Sequence, residues 1–424
     1  MHVSGSVTPP GDKSLSHRAL MFAALAKGKS EITGILAGED VKSTARVLRQ
    51  LGAAVSPVRQ GTPVTIRSGR LTTPGSRLHC GNSGTTTRLL LGILAGEGIR
   101  ATLTGDASLR RRPMRRVTDP LRAMGARIEE TEGGTLPASL RGGKIHGIEY
   151  RSPVASAQVK SALLLAGLTG GVAVTVREPM PSRDHTERML RWLGEDASRE
   201  PGVVGFRPSG NVLKGFSIAV PADPSSAAFL VAVAVLAAQG ELRIQNVCVN
   251  PGRTGFLPVL ARMGAAVDVV NVREVGPEPV ADLLVRPAPL SGTTVAPAEV
   301  PALVDEVPIL AVLASRAAGE TVFHGVGELR VKESDRLEMI AKNLRAVGVQ
   351  AEARADDLHV AGTEQPPRGT VETARDHRLA MAFAVLGTLP GAEVRLSERK
   401  SVAVSYPGFF SDLRRVGGTA RRRD

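Results

Sequence analysis

The stretch Ala19–Ile35, "ALMFAALAKGKSEITGI", runs from a compact apolar segment through a Gly-centred turn into a short β-rich run. The same design returns five more times: "RLLLGILAGEGIRATLTG" from Arg88, "KSALLLAGLTGGVAVTV" from Lys160, "AAFLVAVAVLAAQGELRIQNV" from Ala227, "VPILAVLASRAAGETVFHGV" from Val307 and "HRLAMAFAVLGTLPGAEVRLSE" from His377. The copies start about 70 residues apart, longer than a solenoid period but subject to the same logic of self-similarity. Each is followed by an amphipathic segment ending at a glycine: "VLRQLGAAV", "PLRAMGARI", "MLRWLGEDA", "VLARMGAAVDV", "NLRAVGVQAEA" and, more weakly, "FFSDLRRVGGT". Glycine after the last apolar helical residue predicts a left-handed C-terminal cap. The unit therefore predicts helix, strand, helix, strand, with further strands in the Gly/Pro-rich connections, and the chain reads as α/β with a six-fold internal repeat.

The repetition also resolves an ambiguity at the N-terminus. Lys13 and Arg18 followed by Ala19–Ala26 imitate a secretory signal, but such a signal does not occur six times, so this segment is the first repeat's core helix. The longest apolar run, Ala227–Ala238, is shorter than the roughly 18 to 20 residues that span a bilayer, which excludes a membrane role for it. Six units divide into two lobes of three, with the break predicted at Val220–Ser225, where Pro221 and Pro224 punctuate the chain.

A chain of 424 residues with 42% hydrophobic content supports ordinary globular cores. Its net charge of +13 points to anionic partners. The basic runs "SLRRRPMRR" and "RRVGGTARRRD" lack interleaved aromatics, and aromatics are 3% overall, which argues against a nucleic-acid stacking surface. Two cysteines, Cys80 and Cys248, make neither a disulfide framework nor a zinc site, and they fit a reducing cytoplasm.

The chemistry-bearing residues gather where the first helix of each unit begins: "GDKSLSHR", "CGNSGTTTR", "SPVASAQVKSA", "ADPSSAA", "VPALVDEVPILA" and "ARDHRLAMA". In the first, Pro9, Pro10 and Gly11 break the chain and Asp12 is the predicted N-cap. Ser, Asp and Gly are ordinary at helix starts. Lys13, Arg18, Arg88 and Arg378 are not, because the positive end of the helix dipole disfavours cations in a first turn. Free N–H groups, hydroxyls and cations together describe anion sites.

Together "PGDKSLSHR", "GNSGTTTR", "RRRPM", "SAQVKSALLLAGL", "RVKESDRL" and "RDHRLAMA" resemble the enolpyruvylshikimate-phosphate synthases (3-phosphoshikimate 1-carboxyvinyltransferases), in order from about Val3 to Phe410. The resemblance implies two similar lobes, each an inside-out α/β barrel of three repeats. Residues 11–221 would form the N-terminal lobe on the shikimate 3-phosphate side, residues 1–10 plus 222–424 the C-terminal lobe, and the cleft between them the active site. It implies transfer of the enolpyruvyl group of phosphoenolpyruvate to the 5-hydroxyl of shikimate 3-phosphate by addition and elimination, in the shikimate pathway of aromatic amino acid and chorismate biosynthesis. It further implies a cytoplasmic monomer with no metal, organic cofactor, nucleic-acid or membrane partner, and a glyphosate target.

By the same resemblance Lys13, Ser14, Arg18, Ser156, Gln158, Arg183, Asp305 and Lys332 would hold shikimate 3-phosphate. Lys13, Asn82, Gly84, Arg112, Gln158, Arg336 and Arg378 would hold phosphoenolpyruvate. Asp305 would be the base for the hydroxyl, Glu333 the proton donor to carbon, and Lys13 a participant in the proton traffic. Lys332 and Arg336 flank Glu333 and favour its carboxylate form, against a donor role. The sequence departs from many members at "KSVAVSYPGFF", where Val404 stands in place of a lysine, which leaves open one cationic contact to phosphoenolpyruvate and whether Arg399 or Lys400 replaces it. A sister family that uses UDP-N-acetylglucosamine as acceptor usually carries a Cys in the loop that here reads "GDASLRRRPM".

Overall fold

The computed structural model describes residues 1–417, so the last residues of the basic tail lie outside the described residues. The six apolar segments are helices: Lys13–Leu25, Gly84–Gly96, Ala157–Gly170, Pro224–Val235, Val307–Ala314 and His377–Leu386. Every residue of Pro224–Val235 and of Val307–Ala314 is buried. A helix apolar on all sides has no face to offer water, so it is enclosed, and the sheets take the outside.

Contacts divide the chain into two compact units. One contains Gly11–Val220 with Val275–Glu278; the other contains Met1–Pro10, Pro221–Glu274 and the chain from Pro279. In the first, the repeat is clearest in the strand Leu78–His79, the helix Gly84–Gly96, the strand Arg100–Thr104, the helix Arg115–Ala123 and the hairpin of Ile128–Glu129 with Ala138–Arg141. The first two strands pair in parallel across their helix, and the hairpin adds antiparallel to Arg100–Thr104. Ile148–Arg151 and Val174–Arg177 repeat the parallel pair, as do Thr294–Val295 and Glu320–Phe323 in the second unit. The sixth repeat keeps only its parallel pair, Arg368–Val371 with Glu393–Leu396, among the described residues.

Two repeats borrow their first strand. Ser6–Val7 precedes the Lys13–Leu25 helix in sequence but pairs with Arg243 and Ile244 in the second unit. Ser217–Ala219 precedes Pro224–Val235 but pairs with Glu31–Thr33 in the first. The chain thus changes unit at Pro10/Gly11 and Val220/Pro221.

The predicted caps are present. Gly52, Gly125, Gly194, Gly264, Gly348 and Gly417, one after each second helix, have φ between 88° and 102°. Only glycine takes that backbone without strain. A different use of glycine joins helices Gly84–Gly96 and Ala157–Gly170. A methyl at Gly92 would lie 2.0 Å from the Ala162 carbonyl oxygen, and one at Gly96 2.0 Å from the Thr169 hydroxyl. The two helices approach through backbone, which brings their N-termini side by side.

Candidate active site

In the Gly11–Val220 unit three helix starts carry side-chain caps. Asp12 accepts from the Leu15 N–H at 2.8 Å, Ser83 from Thr86 at 3.1 Å and Ser156 from Val159 at 3.4 Å. Each cap satisfies one of the unpaired N–H groups of its helix start and fixes the angle of the preceding loop. Lys13 lies in the first turn, whereas Arg18 and Arg88 fall in the second, so the dipole opposes them less than the sequence reading held.

Partners offset the remaining cost. Lys13 Nζ is 2.5 Å from a carboxylate oxygen of Asp40, which is buried at the start of the helix Glu39–Gln50. Buried Arg18 donates to Thr186 Oγ1 and Ser161 Oγ, both at 2.8 Å, and to the Ser14 carbonyl at 3.1 Å. Arg112 donates to Asn82 Oδ1 at 2.5 Å, and Asn82 donates to Asp106 at 2.8 Å. Arg88 donates to Gln158 at 2.6 Å and to the Pro113 carbonyl at 3.1 Å. A methyl built on Gly84 would lie 3.0 Å from Arg88 Nη1 and 3.5 Å from Arg112 Nη1. Asn82, Gly84, Arg88, Arg112 and Gln158 are therefore one cluster.

A chain of hydroxyls runs beneath these starts. Thr86 Oγ1 donates to Ser83 Oγ at 2.7 Å, so the 2.6 Å contact between Thr86 and Thr44 uses the Thr44 proton. Thr44 must then accept from His17 Nδ1, 2.7 Å away, which fixes the Nδ1–H tautomer. Burial, reinforced by Lys13 and Arg18, holds the His17 pKa well below its usual range, and the ring is neutral.

The second unit has its own cluster. Asp376 caps the His377–Leu386 helix through the Arg378 N–H at 2.9 Å and accepts from Arg336 Nε at 2.7 Å. Arg336 also meets Glu333 at 2.5 Å and Asp305 at 3.5 Å. Burial works against the Arg336 charge, but Asp376, Glu333 and Asp305 outweigh it and raise its pKa. Arg378 donates to the Asp305 carbonyl at 2.9 Å and lies 3.6 Å from its carboxylate and 3.7 Å from buried Glu306. The motif "KESDR" leads into the helix Arg336–Ala346, which Asp335 caps, and Lys332 and Glu333 precede it. Lys332 lies 3.4 Å from Glu328, and burial lowers its pKa although Asp305 and Glu328 oppose the shift.

The family model for EPSP synthase (3-phosphoshikimate 1-carboxyvinyltransferase) matches residues 1–413. This chain belongs to that family. The 3-phosphoshikimate 1-carboxyvinyltransferase of Alkalilimnicola ehrlichii is 48% identical over 99% of this chain and 95% of its own. That of Gloeobacter violaceus is 48% identical over 98% of this chain and 96% of its own. A solved EPSP synthase from Acinetobacter baumannii has a TM-score of 0.88 and 41% identity, covering 99% of this chain and 96% of that one. The enolpyruvyl transferase NikO from Streptomyces tendae, 20% identical with a TM-score of 0.76 over 98% of this chain and 95% of its own, shares the fold.

Of the residues expected from sequence, the first unit brings together Asn82, Gly84, Arg112 and Gln158, and separately Ser14 with Arg18. The second brings together Asp305, Glu333, Arg336 and Arg378. Arg183 is partly buried between Ser182 and Asp184. Arg399 stacks over the Phe410 ring at 5.3 Å, and Lys400 is exposed. The sequence reading missed the carboxylates beside the cations, Asp40, Glu306 and Asp376, and Asp106, which holds Asn82. Asp376 stands inside the quoted "RDHRLAMA"; an acidic residue directly before a helix that carries an arginine is the signal that could have found it.

Among the described residues no helix is long and apolar enough to cross a membrane.

Proposed function

We infer that the chain transfers the enolpyruvyl group of phosphoenolpyruvate to the 5-hydroxyl of shikimate 3-phosphate and releases inorganic phosphate. The relatives that share 48% of its residues over nearly the whole chain carry that activity in their name. The observation that carries the reading is that Lys13, Arg336 and Arg378 stand in the first turns of helices in both units, each beside a carboxylate that an anionic substrate can replace. Both substrates bear a phosphate and a carboxylate, so a site for the pair needs several such positions.

In the proposed assignment Lys13, Ser14, Arg18, Ser156, Gln158, Arg183, Asp305 and Lys332 hold shikimate 3-phosphate, and Lys13, Asn82, Gly84, Arg112, Gln158, Arg336 and Arg378 hold phosphoenolpyruvate. Glu333 gives a proton to the phosphoenolpyruvate methylene carbon, Asp305 takes the proton of the 5-hydroxyl, and a C–O bond forms to the adjacent carbon. The bond to phosphate then breaks, a proton leaves the new methyl group and the enol ether is restored, with Lys13 sharing the proton transfers. The reaction as written requires no metal or cofactor. The enzyme is taken to work as a monomer without nucleic acid and in the cytoplasm, the last in keeping with two buried cysteines that form no disulfide among the described residues.

Phosphate release from phosphoenolpyruvate, measured with shikimate 3-phosphate and with UDP-N-acetylglucosamine as acceptors, tests this. Release with shikimate 3-phosphate alone is expected. Release with the nucleotide sugar alone would overturn the assignment.

A further inference from the structure

Lys160 interrupts an apolar helix, and its side chain is 1% exposed. Its ammonium lies 2.8 Å from Glu178 Oε2 and 2.9 Å from Glu187 Oε1, both carboxylates being buried as well. Taking three charges out of water costs several kcal/mol per ion, and well-packed apolar residues of similar volume often serve stability as well or better. The cluster's bonds suggest what it gives in return. Glu178 Oε1 accepts the Ser182 hydroxyl at 2.6 Å and the backbone N–H of Ser156 at 3.2 Å. Its other oxygen faces Lys160 and the Ser182 N–H, the latter at 3.4 Å.

Glu178 follows the strand Val174–Arg177, Lys160 sits in the helix that Ser156 caps, and Ser182 precedes Arg183. Glu187 belongs to the helix His185–Trp192. Ser161 and Thr186, the neighbours of Lys160 and Glu187, are the hydroxyls that hold Arg18. One buried ion cluster therefore fixes the backbone from which Ser156 and Arg183 project, and it backs the Arg18 clamp, whereas the Gln158 side chain, assigned to both substrates, is held by Arg88 at 2.6 Å and Thr85 at 3.1 Å. Asn82, Gly84 and Arg112 depend on another helix start and on Asp106 instead.

We propose that Glu178 and Lys160 are positioning residues selective for the shikimate 3-phosphate side of the reaction, acting through Ser156, Arg183 and Arg18. The proposal rests on the assignment of those three residues given above. Glu178→Gln keeps an acceptor for Ser156 but cannot pair with the Lys160 ammonium. Ser182→Ala removes the 2.6 Å bond and leaves both ion pairs in place.

The test is calorimetric titration of the full chain with shikimate 3-phosphate alone, alongside steady-state kinetics. Glu178→Gln should weaken binding by about ten-fold and Ser182→Ala by about three-fold or more, with kcat and the KM for phosphoenolpyruvate within about three-fold of the parent. Ser156→Ala and Arg183→Ala serve as controls for the underlying assignment. Normal binding in both controls would overturn that assignment and the inference with it. Weakened controls beside unchanged Glu178→Gln and Ser182→Ala, or equal weakening toward both substrates, would overturn the inference alone. Should Glu178→Gln not fold, Ser182→Ala decides between these outcomes.

Discussion

Gly84 is the first residue of its helix, and the hydrogens it carries instead of a side chain face two guanidinium groups. A methyl there would stand 3.0 Å from Arg88 Nη1 and 3.5 Å from Arg112 Nη1. Ordinary contact begins near 3.5 Å, so Arg88 has to withdraw by about half an ångström while Arg112 needs almost no movement. Arg88 is held by a 2.6 Å bond to Gln158 and cannot swing away without losing it. The helix itself gains from the change, because alanine is favoured over glycine by about 0.8–1.0 kcal/mol in a helix interior and by less at its first residue. Gly84→Ala is therefore expected to leave stability close to that of the parent and to act on the ligand space. On the proposed assignment that space takes phosphoenolpyruvate, and the longer competitor glyphosate needs more of it. A single methyl discriminates by about 1–3 kcal/mol, so the ratio of the glyphosate inhibition constant to the phosphoenolpyruvate KM should rise by roughly 10- to 200-fold. Initial rates against phosphoenolpyruvate at saturating shikimate 3-phosphate, with and without glyphosate, measure both constants on parent and variant. If the two constants rise by the same factor, or neither changes in a variant with a parental melting temperature, Gly84 does not discriminate and the assignment of this space is wrong.

Gly92→Ala gains the same propensity but puts its methyl 2.0 Å from a backbone oxygen of the neighbouring core helix; overpacking of about 1–3 kcal/mol or more outweighs the gain, and denaturant melts should show a net loss of stability. His17, whose pKa is lowered in the folded chain, lets the unfolded chain bind a proton that the folded one refuses below about pH 6.5, so its share of stability is complete above that pH and declines below it, by up to about 1.4 kcal/mol per unit. Melting curves of His17→Asn between pH 5 and 7.5 should accordingly show a shallower acid loss than the parent, and equal slopes would contradict the buried neutral ring. Lys332, lowered by burial, should lose its proton below the usual lysine range, so the KM for shikimate 3-phosphate should climb on the alkaline side. Lys332→Arg, which stays charged, should move that rise to higher pH, and an unmoved limb would remove Lys332 from the phosphate site.

The six core helices were legible because an enclosed helix is apolar all round and a glycine follows each second helix, whatever the tertiary setting. Strand exchange was not legible from residue patterns alone: Ser6–Val7 is two residues long and its partners are Arg243 and Ile244, a pairing that local periodicity does not encode. Nor was the turn Thr373–Asp376, where Ala374 and Arg375 take φ of 51° and 56° and the Asp376 N–H reaches the Thr373 carbonyl at 2.8 Å. Sequence patterns lead one to expect Asn or Gly at both positions. That strained turn sets Asp376 where it can cap the helix and grip Arg336 together. At the candidate site Lys13 and Arg378 were legible as misfits in a first turn, while their partners were not. Asp40 and Glu306 are unremarkable in sequence and acquire a role only when folding brings them beside Lys13 and Arg378.

The carboxylates around Arg336 differ in a way that bears on the order of events. Asp376 is 0% exposed, meets Nε at 2.7 Å and Nη2 at 3.3 Å, and also caps the helix, so it is bound into the fold. Glu333 and Asp305 are 23% and 17% exposed and meet the guanidinium at 2.5 and 3.5 Å. An arriving anion can displace these two and leave Asp376 in place. Once a substrate anion takes over Arg336, Glu333 and Asp305 are both released from that guanidinium. On the proposed assignment, then, the residues that shield the cations before binding are the acid and the base used afterwards. On that assignment, binding frees both carboxylates from Arg336 before the proton transfers begin.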